Sequence, residues 1–374
     1  MNEEWFEQAR QMGLNTRLVG CAMAQLDQAV ADGEIPGGVA AIGRKGQLLE
    51  YAAGDAGLTG AAKFRVRTDT RYDCASLTKI VVTLPLVLQL LDEGRLRLDD
   101  AVGRFIPAFD GEGGTKSSVT IRHLLTHTSG LAPFVDLHTH GWTREQMLSF
   151  VAGLDLEYEP GTQVVYSDLG FILLGRLISD LLGMPLEEAA AKRIFEPLGM
   201  LDSGYRPLPE DRPRIAPTEH YAYEPEPRWG IVHDENAGAM GGVSGHAGLF
   251  ATARDLIRYA AMWLNEGEWE GKRLLSRSAV RLAARNQTAS AAGGTRGLGW
   301  VLKGDKWDAS GDLLSERSYG HTGFTGTSLY IDPEAGLTVA LLTNRVHLGR
   351  DKSVARLRAC FHNAVAASLE DLTI

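Results

Sequence analysis

The chain has 374 residues, 44% of them hydrophobic and 23% charged, which is enough for a large core and at least two lobes. Its formal net charge of -9 argues against nucleic acid or an anionic membrane surface as a partner. No segment reaches the roughly 20 apolar residues of a membrane span, and the first residues lack the basic and apolar regions of a signal peptide. The three cysteines are widely spaced and show no metal-binding pattern, so we expect a cytoplasmic protein with reduced thiols, or a secreted one if a native leader is missing.

The first elements in chain order are a helix and a hairpin. Residues 16–32 carry apolar side chains at helical spacing and stop at Gly33, which predicts a helix. Val39–Ile42 and Leu48–Ala53 flank a short turn over residues 44–46, a pattern typical of two strands joined by a hairpin.

An apolar run over residues 80–91 predicts a buried helix of roughly 15–18 residues that ends near Gly94. Pro85 predicts a kink in this helix, or a boundary one turn after Lys79. Ser76 then lies at the helix N-terminus, where free backbone N–H groups and the helix dipole favour negative charge.

The later elements divide the chain into two lobes. Met200–Glu235 is predicted to be a long loop, because it holds six of the 14 prolines and shows no clear periodicity. Further helices are predicted over residues 120–125, 143–151, 169–182, 185–195 and 351–369 and from a capping box at 252–255, and strands over 299–302, 327–331 and 337–343. Strands at both ends with helices between them predict an α+β fold, with a sheet lobe from residues 1–72 and 296–374 and a mostly helical lobe from 73–295. The active site is expected in the cleft between these lobes.

Three short motifs carry the chemistry: Ser76-Leu77-Thr78-Lys79, Tyr166-Ser167-Asp168 and His321-Thr322-Gly323. In the first, a hydroxyl and an amine three residues apart share one face of a helix, so the amine can activate the oxygen as a nucleophile. Taken alone, this motif could also be an ordinary serine N-cap with a solvated lysine, and Tyr166 could be a core aromatic. The three motifs together predict an acyl-transferring serine hydrolase.

The sequence resembles the superfamily of penicillin-binding proteins and class C β-lactamases, which includes DD-peptidases, family VIII-type esterases and amidases. The resemblance runs from about Pro36 to about Val346, and the segments 124–130 (LLTHTSG) and 166–171 (YSDLGF) are typical of its class C-like branch. It implies a β-lactamase/transpeptidase-like fold, in which helices flank an antiparallel sheet and a mostly helical second lobe completes the cleft.

A narrower resemblance rests on residues 233–237 (HDENA), 241–250 (GGVSGHAGLF) and 344–347 (NRVH). These segments resemble a subgroup that acts on cell-wall peptides, including exo-acting N-acetylmuramoyl-L-alanine amidases. We therefore expect an amidase or peptidase on muropeptide-like substrates. The alternatives are a family VIII-type carboxylesterase, a weak β-lactamase or DD-peptidase, and a non-catalytic penicillin-binding-like module.

The resemblance also implies roles for single residues. Ser76 attacks a carbonyl to form an acyl-enzyme, while Lys79 and Tyr166 relay its proton. The backbone N–H groups of Ser76 and Phe324 form the oxyanion hole, typically worth a few kcal/mol per donor. The predicted site therefore has catalytic Ser76, Lys79 and Tyr166 and substrate-binding Asp168, His321, Thr322, Gly323 and Phe324. We expect a small-molecule or peptide substrate and neither a metal nor another cofactor, and the oligomeric state stays open.

Two residues depart from the pattern of the superfamily. The second motif commonly ends in Asn, whereas Asp168 accepts hydrogen bonds without donating and would hold a contacting Lys79 protonated. The third motif commonly begins with Lys, whereas His321 titrates near neutrality and provides no fixed cation for a β-lactam carboxylate. Efficient β-lactamase activity is therefore not expected. His321 could act either as an imidazolium or as a neutral donor, and the neutral role is favoured because Lys79 already supplies positive charge.

Other residues offer competing chemistry. Cys74 could be a thiol nucleophile, although no cysteine-protease pattern surrounds it. The segments 138–140 and 233–235 contain histidines that could ligate a metal, but neither has the spacing of a helical zinc site. His246, between glycines, is predicted to lie in a turn near the cleft.

Overall fold

The computed structural model describes residues 1–111, 114 and 116–370. Its central feature is a six-stranded sheet in which every neighbouring pair of strands is antiparallel, in the order β2-β1-β10-β9-β8-β7. The strands of this sheet are β1 (Gly37–Arg44), β2 (Gln47–Gly54), β7 (Val301–Leu302), β8 (Tyr319–Thr322), β9 (Ser328–Asp332) and β10 (Leu337–Thr343), and two small ladders pair β3 (Tyr72–Asp73) with β4 (Phe250–Ala251) and β5 (Glu268–Trp269) with β6 (Lys272–Arg273). Both ends of the sequence thus build one sheet, which confirms the predicted antiparallel α+β fold.

Helices flank the sheet, and most of them lie in the sequence between β2 and β7. The α-helices are α1 (Glu3–Gln11), α2 (Thr16–Ala31), α3 (Leu84–Asp92), α4 (Pro107–Asp110), α5 (Ile121–Leu125), α6 (Arg144–Gly153), α7 (Asp168–Leu182), α8 (Leu186–Ala190), α9 (Glu196–Leu198), α10 (Glu235–Ala239), α11 (Ala253–Leu264), α12 (Arg277–Ala283) and α13 (Ala355–Ala367). Most predicted elements are found within a few residues of their expected bounds. The division into lobes stays a prediction. Residues 371–374 of its sheet lobe and 112, 113 and 115 of its helical lobe lie outside the described part of the chain.

The central strands β1 and β10 are buried on both faces because their side chains alternate between two cores. In β1, Ala40 and Ile42 join the apolar cluster formed with α2 and α13, whereas Val39 and Ala41 point into the cluster that contains α11. The alternation of β10 is the same, with Leu341 in the first cluster and Leu342 in the second. This packing makes the sheet a rigid support for any residue at the end of β8.

The helix after Ser76 begins as a π-helical segment, Lys79–Thr83, which continues into α3 at Leu84. Pro85 lies in the first turn of α3 and has no backbone N–H to donate, so it marks the boundary that the sequence predicts one turn after Lys79. π-helical turns occur often at functional sites. Here the widened turn carries Lys79 itself.

The segment Met200–Glu235 is mostly loop, as predicted, with one 3₁₀ turn at Pro209–Arg214. It folds back on the strand before Ser76, because Arg71 N donates to Arg214 O (2.7 Å) and Ala216 N donates to Arg71 O (2.9 Å). Within the described residues no single helix is long and apolar enough to cross a membrane, and one pair bent by 77°, Asp168–Leu182 with Leu186–Leu198, meets that test by length and composition alone.

Candidate active site

Ser76 lies in a strained turn between β3 and the π-helical segment. The preceding Ala75 has a φ of +46°, a left-handed conformation that is rare for a residue with a Cβ. Two hydrogen bonds hold this turn: Ala75 N donates to Asp73 Oδ1 (2.8 Å) and Thr78 Oγ1 donates to Ala75 O (2.7 Å). Ser76 remains half-buried, so its hydroxyl can be reached from one side.

Lys79 is fully buried, and its ammonium has three acceptors. Nζ lies 2.7 Å from Asp168 Oδ1, 3.1 Å from Ser76 Oγ and 3.1 Å from the backbone oxygen of His246. Burial opposes the charged form, but Asp168 and Tyr166 outweigh it, and the pKa of Lys79 is raised above its ordinary value. All three donors of an ammonium are thus engaged. Lys79 is therefore a fixed cation beside the Ser76 oxygen.

Tyr166 lies beside this cation, with its ring centre 4.8 Å from Lys79 Nζ. Its hydroxyl is buried and has no hydrogen-bond partner among the described residues. Burial raises the pKa of Tyr166, while Lys79 and a nearby Ser76 counteract that rise. The phenol therefore stands next to the reacting hydroxyl, with its oxygen free to take part in chemistry.

The second motif is positioned by His127, which has a left-handed φ of +58°. Its Nδ1 accepts a hydrogen bond from Ser167 N (3.1 Å), and its ring packs on that of Tyr166 at a centroid distance of 4.5 Å. Asp168 N donates to Pro133 O (3.0 Å), and α7 begins at Asp168. Because Asp168 starts a helix, its carboxylate also benefits from the helix dipole.

His321 lies near the C-terminal end of β8. Its side chain is 3% exposed, and Nδ1 lies 2.8 Å from the backbone oxygen of Thr322, which makes Nδ1 the protonated nitrogen of a neutral ring. Burial, together with Arg296 and Lys79, lowers the pKa of His321 to about 3. The structure thus favours the neutral role over the imidazolium. Nε2 is buried, with no hydrogen-bond partner in the described part of the chain.

Gly323 brings the turn after β8 against the serine turn. A Cβ at this position would lie 2.5 Å from Cys74 O and 2.1 Å from Thr327 Oγ1, so only glycine allows the approach. Thr327 Oγ1 donates to Cys74 O (3.1 Å), and Thr325 Oγ1 donates to Asp73 O (2.7 Å). These bonds hold the turn that contains Phe324 against residues 73 and 74, which precede Ser76.

The backbone N–H groups of Ser76 and Phe324 donate to no acceptor within the described residues. Phe324 is 48% exposed, and its ring stacks on His233 and lies 4.6 Å from the Arg345 guanidinium. An oxyanion hole requires two such free donors. Thr322 is half-buried on the same strand end.

Sequence reasoning missed the network behind Lys79. His246 Nε2 contacts Asp234 Oδ1 (2.9 Å), and its Nδ1 contacts Ser244 Oγ (2.8 Å), while the backbone oxygen of His246 holds Lys79. The resemblance at residues 233–237 and 241–250 singled out these segments, but a backbone contact leaves no signal in a sequence. His246 therefore lies against the site through its main chain.

Asp168, Asp234 and His246 each place one ligand atom within 4.8 Å of the others, and they are the one group of this kind in the described residues. Lys79 already bonds to Asp168 Oδ1 and to the backbone oxygen of His246, so the protein's own ammonium balances this charge. The predicted absence of a metal stays a prediction.

The competing residues have other roles. Cys74 is fully buried, its thiol donates to Tyr72 O (3.4 Å), and burial together with Asp73 raises the pKa of that thiol, which excludes it as a thiolate nucleophile. His138 contacts Asp136, His140 stacks on Trp142, and His233 Nε2 lies 2.8 Å from Glu219 Oε2.

Comparisons with known proteins identify the family and the fold. A family model described as Beta-lactamase matches residues 23–362. A protein of Escherichia coli (strain K12) named "Putative D-alanyl-D-alanine carboxypeptidase" is 34% identical over 310 residues, which cover 76% of this chain and 71% of the relative. The solved structure of "EstCE1, a hydrolase with promiscuous acyltransferase activity" is 25% identical with a TM-score of 0.75 and covers 94% of this chain and 99% of its own. A penicillin-binding protein homologue from Caulobacter crescentus has the same fold, with a TM-score of 0.76, 21% identity and coverage of 96% of this chain and 99% of its own.

Proposed function

Because this chain belongs to the beta-lactamase family of serine hydrolases, we propose that it cleaves an amide bond in peptidoglycan-derived, muropeptide-like substrates through an acyl-enzyme on Ser76. The observation that carries amide-bond cleavage is the 34% identity to a relative named "Putative D-alanyl-D-alanine carboxypeptidase". The choice of a muropeptide rests on the segments 233–237 and 241–250, which resemble cell-wall amidases. It is supported by the contact between Lys79 and His246, which lies in one of the segments that resemble cell-wall amidases.

The geometry supports the following roles. Ser76 Oγ attacks the substrate carbonyl and its proton passes to the phenolate form of Tyr166, since the three donors of Lys79 are engaged and its ammonium accepts no proton. The N–H groups of Ser76 and Phe324 bind the carbonyl oxygen as it becomes negative. Tyr166 then gives the proton to the leaving nitrogen as the carbon–nitrogen bond breaks. Water repeats the sequence on the acyl-enzyme and releases Ser76.

The raised pKa of Tyr166 has a consequence for the rate. Only a small fraction of the hydroxyl is ionised near neutrality, so the base becomes more available as the pH rises. Lys79 increases the ionised fraction of Tyr166, because a cation beside the phenol favours the phenolate.

A substrate panel tests the proposal. We expect a MurNAc-L-Ala-peptide to be cleaved at least tenfold faster, in kcat/KM, than a D-Ala-D-Ala peptide, p-nitrophenyl butyrate or a chromogenic cephalosporin. The Ser76→Ala variant is the blank for each substrate, and labelling by a fluorophosphonate probe, lost in that variant, identifies the nucleophile. Faster release of D-alanine would replace the amidase proposal with a carboxypeptidase.

An esterase is the second candidate, favoured by the likeness to EstCE1 over nearly the whole chain. Preference for p-nitrophenyl butyrate over both peptides would establish it. No turnover and no probe labelling would leave a binding module. The cytoplasmic location stays a prediction.

A further inference from the structure

Arg296 is a buried cation that none of the three motifs explains. Its side chain is 1% exposed, and its Nε lies 3.3 Å from Oδ2 of Asp305, whose side chain is fully buried. Nη1 is buried and has no hydrogen-bond partner within the described residues. A buried guanidinium with an unused donor is expensive, so its location needs a reason.

The segment that precedes Arg296 runs alongside the segment that precedes Tyr166. Gln163 and Ala292 form a parallel bridge, in which Val164 N donates to Ala292 O (2.8 Å) and Ala292 N donates to Thr162 O (2.9 Å). A Cβ on Gly294 would lie 3.1 Å from the Val164 side chain, so the two segments stay in contact beyond the bridge. The bridge therefore brings the segment that leads to Arg296 beside the segment that leads to Tyr166.

Several buried polar atoms of Arg296 and of the residues around the second motif have no hydrogen-bond partner among the described residues. Arg296 Nη1, His127 Nε2, Tyr166 Oη and His321 Nε2 are all buried without a hydrogen-bond partner in the described part of the chain. The ring of Tyr166 lies 4.5 Å from that of His127 and 5.9 Å from that of His321. Tyr166 Oη and the two histidine nitrogens thus make the pocket around this ring polar.

The charges that face this pocket are few. After burial, Arg296 is the largest influence that lowers the pKa of both His127 and His321, so both rings are neutral near neutrality. Tyr166 in turn favours the charged form of Arg296, and electrostatic coupling between two groups is mutual. Lys79 and Asp168 are the charged groups with the largest influence on Tyr166, Asp305 acts on Arg296, and Arg358 acts on His321.

We propose that Arg296 is a positioning residue for catalysis, the second fixed positive charge of the site, which stabilises the phenolate of Tyr166 together with Lys79. Asp305 holds the guanidinium in place and, through Thr295 N (2.6 Å), fixes the backbone beside it. The inference rests on the base role of Tyr166 in the proposed function, and it is independent of which substrate is cleaved.

The rate at which a fluorophosphonate labels Ser76 tests this charge without a known substrate. In that reaction the Ser76 oxygen bonds to phosphorus, fluoride leaves and Tyr166 takes the serine proton, so the acid limb of the pH profile reports the ionisation of Tyr166. In Arg296→Met we expect this limb to move to higher pH by about one unit, with about a tenfold lower rate at pH 7. Arg296→Lys keeps the charge and should restore most of the rate.

Two further variants separate electrostatics from packing. Asp305→Asn leaves Arg296 less neutralised and should move the limb to lower pH, in the opposite direction. Arg44→Met removes another buried arginine, which donates to Ala335 O and Met12 O at the far end of β1, and should lower the melting temperature with no shift of the limb.

An unshifted limb in both Arg296→Met and Asp305→Asn overturns the inference, as does Arg296→Lys behaving like Arg296→Met. If Tyr166→Phe leaves the profile unchanged, the base role of Tyr166 fails instead, and the two failures are distinct. Should Arg296→Met not fold, the direction of the shift in Asp305→Asn decides.

Discussion

Lys79 Nζ lies 2.7 Å from Asp168 Oδ1, and this pair joins the first motif to the second across 89 residues of sequence. The lysine side chain is fully buried and the aspartate is 20% exposed, so the pair is desolvated on one side only. In such a pair each charge compensates the other, and removal of one leaves the other buried and unpaired. This relationship identifies Lys79 as an electrostatic support.

The pair predicts strong coupling between two substitutions. Asp168→Asn and Lys79→Met should each lower the free energy of unfolding by about 3 kcal/mol, because each leaves an uncompensated charge. The double variant should lose less than the sum of the two by about 2 kcal/mol or more. Urea unfolding of the four proteins at pH 7 measures this cycle. Additive losses would show that the two charges do not stabilise each other.

Tyr166→Phe is predicted to slow acylation by roughly 10²–10⁴-fold, the usual contribution of general acid–base catalysis. The fold should be intact, because Tyr166 Oη makes no hydrogen bond to any described residue and its loss leaves no partner unpaired. In the wild type, kcat/KM should rise continuously from pH 6 to pH 9, since the pKa of Tyr166 is raised. Stopped-flow acylation rates and a pH profile check both points. An unchanged rate on an amide substrate would leave Tyr166 a packing residue.

Much of the fold could be predicted because local patterns determined it. The turn over residues 44–46 predicted the β1–β2 hairpin, and Thr120 and Thr143 cap the two helices expected after them, each with a full capping box. Thr252 caps α11 by accepting from Asp255 N, which is one half of the expected capping box. The short β3–β4 ladder was not predicted, because two-residue strands carry no periodicity.

The site could be predicted where its residues belong to one short motif, and it could not where segments distant in the sequence meet. The hydroxyl–amine spacing of Ser76 and Lys79 is a property of one helical turn. The contribution of His246 is a backbone oxygen, and a bridge between residues 163 and 292 brings together the segments that lead to Tyr166 and Arg296. No spacing within one segment encodes these contacts. Asp168 contacts Lys79 in the structure, which is the condition under which it holds the lysine protonated.

Buried histidines predict a protein that loses stability in acid. Burial lowers the pKa of His362 to about 4 and that of His321 to about 3. The unfolded chain binds these protons near pH 6.5 and the folded chain does not, so stability is fully present above pH 6.5 and falls below it. Each such histidine contributes about 1.4 kcal/mol per pH unit over this window.

His362→Gln isolates one of these contributions, because His362 contacts Ala309 O and Tyr330, away from the catalytic motifs. The dependence of unfolding free energy on pH between 6.5 and 4.5 should be shallower by about 1.4 kcal/mol per unit than in the wild type. Urea melts at four pH values measure the slope. Identical slopes would show that His362 is protonated in the folded protein.

The last prediction concerns His321→Lys and β-lactams. Position 321 is buried and lies near Arg296 and Lys79, so burial and two cations would depress the pKa of a lysine placed there, and it would supply no fixed charge near neutrality. We therefore expect a lower melting temperature and no gain in turnover of a chromogenic cephalosporin. His321→Gln, which keeps a neutral side chain, should retain more activity on the preferred substrate than His321→Lys at pH 7. Cephalosporin turnover that rises in the lysine variant would show that the absence of a cation at position 321 had excluded β-lactams. The expected absence of a gain places that exclusion elsewhere, and the loop Met200–Glu235, which folds back beside the serine turn, is the segment to shorten next.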